Sequence, residues 1–218
     1  MSSASLTYST FMEYMSLGGL IMWIILCLSV IALAVVLERI FFFIYASANL
    51  EELEIAFGKS LSNGDPEAVR SAVSGRSSLH RLFTAVYGHW TLDGESLRVF
   101  VEGQIRRELY RWEKNMALLE VIAKVSPLLG LLGTVLGMVE MFQTLNLGGA
   151  VSAEAVTGGI WKALFTTVAG LSVAIPVIIV HGMLTGRINR EEEDLERGGV
   201  FIITEHSLRE RARRQTDR

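Results

Sequence analysis

Three stretches of the chain carry almost no charge. Residues 17–37 form an uninterrupted apolar run of 21. Residues 125–139 are also charge-free, and the run continues past Glu140 to residue 151. Residues 163–186 hold one ionisable group, His181. A helix crosses about 30 Å of hydrocarbon with about 20 mostly apolar residues. The first and third runs meet that length outright, and the second does so once Glu140 has a reason to be there. The fold class this predicts is an all-α, polytopic membrane protein with three transmembrane helices.

Between the first two runs the pattern changes to that of amphipathic helices. Leu97, Val101, Ile105, Leu109, Trp112, Met116, Leu119 and Ala123 recur every three or four residues, the spacing of one helix face. That face leads into the second apolar run, so the spacing predicts one long helix that starts outside the membrane and enters it. Asn63-Gly64-Asp65-Pro66 reads as a turn, with Asp65 as N-cap and Pro66 at the first helical position. Asp93-Gly94 reads as a second turn. Beyond the third run the helix continues as a charged one from 187 to 196, until Gly198-Gly199 interrupts it.

The basic residues orient these elements. None precedes the first run, eleven fall from Arg39 to Lys124, none falls in 146–159, and eight follow from Arg187. Lys and Arg near spans stay on the cytoplasmic side. The expected layout places the N-terminus in the periplasm and the C-terminus in the cytoplasm of a bacterial inner membrane. Its segments are a periplasmic N-terminal segment 1–16, spans 17–45, 125–147 and 159–185, a cytoplasmic helical loop 46–124, a short periplasmic link 148–158 and a cytoplasmic tail helix 186–218. Two of the three spans thus extend into a cytoplasmic helical region. The N-terminus lacks a basic n-region and carries Glu13, so it does not read as a cleavable signal.

A net charge of −3 gives no basic face for nucleic acid. Cys27, the single cysteine, lies inside the first run and reads as a small packing residue. The histidines at 80, 89, 181 and 206 show no metal-ligand spacing, so no metal or other cofactor is expected. Gly58-Lys59-Ser60 resembles the end of a phosphate-binding loop, but Leu53 stands where the first glycine is needed. No catalytic constellation assembles, and the chain does not read as an enzyme. Any work it does then draws on the transmembrane potential, worth about 2.3 kcal/mol per charge per 100 mV.

The polar and small residues of the second and third runs carry the remaining information. Gly130, Gly133 and Gly137 share a side, which lets helix backbones approach closely. Thr167, Gly170, Ala174 and His181 fall along one stripe of the third run, which suits either a pore lining or a close helix seam. Thr134 turns away from Gly133. A membrane threonine also commonly bonds its own backbone, Pro127 and Pro176 are ordinary kink formers, and His181 near the inner end can simply reach the interface. Glu140 is costly in a membrane and implies a partner or a function. Counting 1.5 Å per residue from the link places Lys162 at a similar depth, so an ion pair between them, within or between subunits, is expected.

Three motifs resemble the ExbB/TolQ/MotA proton-channel family, in its three-span ExbB and TolQ branch. They are SVIALAVVLERIF at the first span, SPLLGLLGTVLGMVEMF at the second and GGIWKALFTTVAGLSVAIP at the third. The resemblance implies a homo-oligomeric ring, typically a pentamer, in membrane lipid. It also implies an ExbD- or TolR-like single-span partner with a membrane aspartate, and a TonB- or TolA-like force transmitter. It implies that Thr134 and Thr167 line the proton path and that Glu38 and Arg39 are the charged pair at the inner end of the first span. Many members carry an acidic residue where Lys162 stands here, so Glu140 is a candidate for proton intake as well as for a structural clasp. The function expected is a channel-forming subunit that uses the proton-motive force. The alternative is a membrane scaffold whose polar residues only pack helices.

Overall fold

The computed structural model describes residues 3–46, 48–146 and 153–216. Residues 148–152 of the expected link at 148–158 lie outside them. Seven helices run in order: α1 Ser3–Ala46, α2 Leu50–Ser62, α3 Pro66–Ala72, α4 Ser78–Tyr87, α5 Gly94–Glu113, α6 Met116–Asn146 and α7 Ala153–Thr216. No strand occurs among the described residues. Three helical stretches are long and apolar enough to cross a membrane. The chain divides into two compact units, Met1–Leu37 with Asn115–Gly182, and Glu38–Lys114 with Met183–Arg218.

The first unit holds the apolar parts of α1, α6 and α7. Its buried apolar residues are Ile21, Met22, Ile25 and Ala32 on α1, Met116, Leu119, Ile122 and Ala123 in the first turns of α6, and Ala163, Ala174 and Val177 on α7. Leu128, Leu131, Val135, Leu164, Val168, Ile175 and Ile179 point outward. Lipid tails are as apolar as leucine, so close contact between small residues, rather than apolar burial, holds such helices together. Helix α1 is broken at Gly19, with φ 58° and ψ −148°. Only glycine adopts that backbone without strain.

The second unit is built like a soluble bundle. Leu53, Phe57, Val69, Leu79, Leu82, Phe83, Leu97, Val101, Leu195 and Ile202 belong to its core. The Phe57 and Phe83 rings meet edge to face at 5.1 Å. Each such side chain contributes about 1.5–3 kcal/mol relative to exposure. Side-chain oxygens of Asn49, Asp65, Ser77 and Asp93 cap α2 to α5, and Pro66 opens α3. The Asn63–Pro66 turn is thus a turn that starts a helix.

Two expectations need correction here. The long helix predicted through residues 97–123 is two helices, α5 and α6. The chain turns at Lys114 (ψ 134°) and Asn115 (φ 62°), a left-handed conformation that asparagine tolerates. The apolar period of three to four runs through the break, so periodicity could not reveal it. Nor does Gly198-Gly199 interrupt α7. A Cβ on Gly198 would fall 3.1 Å from the Phe83 ring, and one on Gly199 would fall 2.8 Å from Ile105. These glycines let α7 lie close to its neighbours.

Buried polar groups also lie in the second unit. Arg39, 2% exposed, pairs with Glu38 at 2.7 Å and donates to the Arg111 carbonyl at 3.1 Å, near the last turn of α5. Glu108 is buried between Arg81 and Arg111. Ser78 Oγ contacts Glu191 Oε1 and lies 3.4 Å from the Ala46 carbonyl. One hydroxyl proton serves one acceptor at a time. Ser78 gives it to Glu191 Oε1 at the shorter contact, and the Ala46 carbonyl is the alternative acceptor.

Burial pushes the Glu191 carboxyl above the usual glutamate range, against the hydrogen bond from Ser78, which lowers it, while Asp194 adds to the rise. A carboxyl raised in the folded state contributes stability below its unfolded value and loses it as pH rises through the folded value. The second unit should therefore lose stability from the ordinary glutamate range upward. Glu191→Gln keeps a polar contact to Ser78 without the charge and should remove that loss. Thermal unfolding of the purified protein at about pH 5 and about pH 8 measures it. Equal pH slopes for wild type and variant would contradict the assignment.

Candidate functional site

The site is the contact between α6 and α7 in the first unit. A Cβ on Gly130 would fall 2.9 Å from the Thr166 carbonyl oxygen and from Thr167 Cα. One on Gly133 would strike the Thr166 side chain, and one on Gly137 would fall 3.1 Å from Ala163 Cβ. A Cβ on Gly170 would overlap the Ser126 carbonyl oxygen and lie 3.2 Å from Gly130 Cα. The three glycines of α6 therefore form one surface against which α7 lies backbone to backbone.

Hydroxyls hold this seam together. Thr166, 2% exposed, donates to the Ala163 carbonyl at 2.7 Å or to the Gly130 carbonyl at 3.2 Å. Thr167 donates to the same Gly130 carbonyl at 3.1 Å. Thr134 donates back to Leu131 at 2.6 Å, within its own helix. Both Thr134 and Thr167 are half-buried and sit beside the seam, not in its centre. A hydroxyl that has given its proton to a carbonyl still presents acceptor lone pairs. Pro127 and Pro176 lie inside α6 and α7.

The stripe read from the sequence shifts by one residue. Ala163, Thr166, Gly170, Ala174 and Val177 are the buried face of α7, and Thr167 is at its edge. Gly170 and Ala174 are seam residues. Thr166 was the residue that sequence reasoning passed over. Its signal is the recurrence of small residues at 163, 166, 170 and 174, which includes the first threonine of the pair and not the second. His181 stands apart from the threonines. The hydrogen bond and charge of Lys124 hold the Glu120 carboxyl below its usual range, and His181 adds a weaker pull in the same direction.

Lys162 Nζ stands 3.0 Å from Glu140 Oε2 within one chain. The lysine is one third exposed and the glutamate two thirds. The pair borders a cavity of about 210 Å³ lined also by Gly19, Leu20, Ile21, Gly133, Leu136, Gly137 and Thr166. Among the described residues no cluster of histidine, cysteine, aspartate and glutamate could hold a metal ion.

Residues 67–197 match the MotA/TolQ/ExbB proton channel family. An ExbB-like protein (ExbB-like 1) of Synechocystis sp. is 33% identical over 178 residues, 77% of this chain and 67% of that protein. The biopolymer transport protein exbB1 of Vibrio cholerae is 33% identical over 132 residues, 60% of this chain and 58% of that protein. The Tol-Pal system protein TolQ of Haemophilus influenzae is 36% identical over 98 residues, 45% of this chain and 42% of that protein. The matched region takes in the glycine and threonine seam together with Glu140 and Lys162. The chain is a multi-pass membrane protein that belongs to the MotA/TolQ/ExbB proton channel family.

Proposed function

We propose that this chain is the channel-forming subunit of an inner-membrane motor that uses the proton-motive force to energise an envelope or outer-membrane process. The distribution of arginines and lysines supports an N-terminus in the periplasm and a C-terminus in the cytoplasm. Copies of the chain, five by resemblance, surround an ExbD- or TolR-like single-span partner whose membrane aspartate carries the proton. A TonB- or TolA-like protein takes the force onward.

One observation carries this reading. Thr134 and Thr167, on neighbouring spans of a family-matched region, donate their protons to backbone carbonyls. Their oxygens are left as acceptors, which is what a protonated carboxyl on a partner helix needs in a medium without water. The seam behind them is held by backbone contacts and can resist load. Glu38 and Arg39 brace the inner end of the first span against α5.

The experiment is a search of the neighbouring genes for a small single-span protein with a membrane aspartate, followed by its co-expression with this chain. The two chains should purify as one complex from mild detergent. If the chain forms rings that retain no such partner, the scaffold reading replaces this one.

A further inference from the structure

The cavity beside Glu140 and Lys162 has a role that helix packing alone does not explain. Two ionised groups on otherwise apolar helices are expensive unless water reaches them. Within the single chain Glu140 is 67% exposed and Lys162 32%. A cavity of about 210 Å³ adjoins them, room for several waters at about 30 Å³ each. The third wall is the break in α1 at Gly19, at the start of the first apolar stretch. Non-helical backbone within a membrane is tolerated only where protein covers it or where it lines a water-filled space. Water in the recess would serve both the ion pair and the broken helix.

We propose that this recess is a water-holding vestibule through which protons reach the channel, with Glu140 as the group that takes them up. The inference rests on the channel reading above and deepens it. Glu140 accepts a proton from a hydronium in the vestibule and passes it to another water, so nothing else is consumed. Lys162 is a positioning residue. Its ammonium holds the carboxylate against the recess, and these two are the titratable groups among the described lining residues. Thr166, also in the lining, shares the Gly130 carbonyl with Thr167, so the recess ends one residue from the threonine implicated in the proton path. Intake is then lateral, between the three spans of one subunit.

Two measurements on the complex with its partner test this. In a Cys27→Ser background, Leu136→Cys places a thiol on the recess and Val168→Cys places one on the exposed apolar face outside it. A charged, membrane-impermeant methanethiosulfonate added to intact cells should modify the first at least about tenfold faster, because the reactive thiolate forms only where water is present. Equal, slow modification of both overturns the vestibule.

The second measurement is proton flux in proteoliposomes. Glu140→Gln should lower it at least about tenfold, the scale on which general acid–base groups act. Lys162→Arg should retain most of it, and Glu140→Lys with Lys162→Glu should recover it by returning a carboxylate to the recess. Flux unchanged in Glu140→Gln overturns the intake role even where the thiol is labelled. Absence of flux in the wild-type complex overturns the channel reading instead, and the labelling result still decides whether the recess holds water.

Discussion

Gly170→Val is expected to destabilise the membrane unit by about 3 kcal/mol or more, at or above the usual range for overpacking. The first added carbon overlaps the Ser126 carbonyl oxygen and lies 3.2 Å from Gly130 Cα and N. All three are backbone atoms, so no rotamer change relieves the contact, and α6 and α7 must move apart. That movement also pulls Thr166 and Thr167 away from the Gly130 carbonyl. Gly182→Ala is the control, since a Cβ there meets nothing within 4 Å. Denaturant titration of both variants in mixed micelles should show a large loss for the first and less than about 0.5 kcal/mol for the second. Equal losses would mean that α6 and α7 do not meet as described.

The second large effect is functional. Thr134→Val with Thr167→Val should leave the chain folded and in complex while lowering proton-dependent activity about 100-fold or more. Valine has nearly the shape of threonine, but it removes the hydroxyl oxygen that remains an acceptor once its proton is donated. The lost bonds to Leu131 and Gly130 each contribute only about 0.5–1.5 kcal/mol. Assembly can absorb that loss, so a failure of transport with assembly intact separates channel from scaffold. Flux in proteoliposomes alongside size-exclusion profiles reads both. Transport that survives the double substitution would show that the two hydroxyls do not carry the proton path and would remove the main support of the channel reading.

Parts of this were legible in the sequence because they follow from counting. The apolar runs set the spans, and the rise per residue brought Glu140 and Lys162 to one depth, where they stand 3.0 Å apart. Glycines at 130, 133 and 137 announced a close helix contact on one side. What escaped depends on neighbours that a single chain does not display. Gly198-Gly199 carries the composition of a breaker, yet Phe83 and Ile105 occupy the space a side chain would need. Asn115 turns the chain at a point where the apolar period does not falter. Gly19 sits in an apolar run that looks continuous, and its break shows only in the backbone. Thr166 and Thr167 are adjacent and alike, and only the recurrence of small residues at 163, 166, 170 and 174 marks which one is in the seam.

The proposed function requires proton conduction by this chain together with a single-span partner. The most direct measurement is acidification inside proteoliposomes that carry the purified complex, driven by an imposed inside-negative potential and followed with a trapped pH dye. The account predicts an inward proton flux that requires the partner, persists without sodium and falls with Thr134→Val plus Thr167→Val. A complex that stays intact yet admits no more protons than empty liposomes would contradict it.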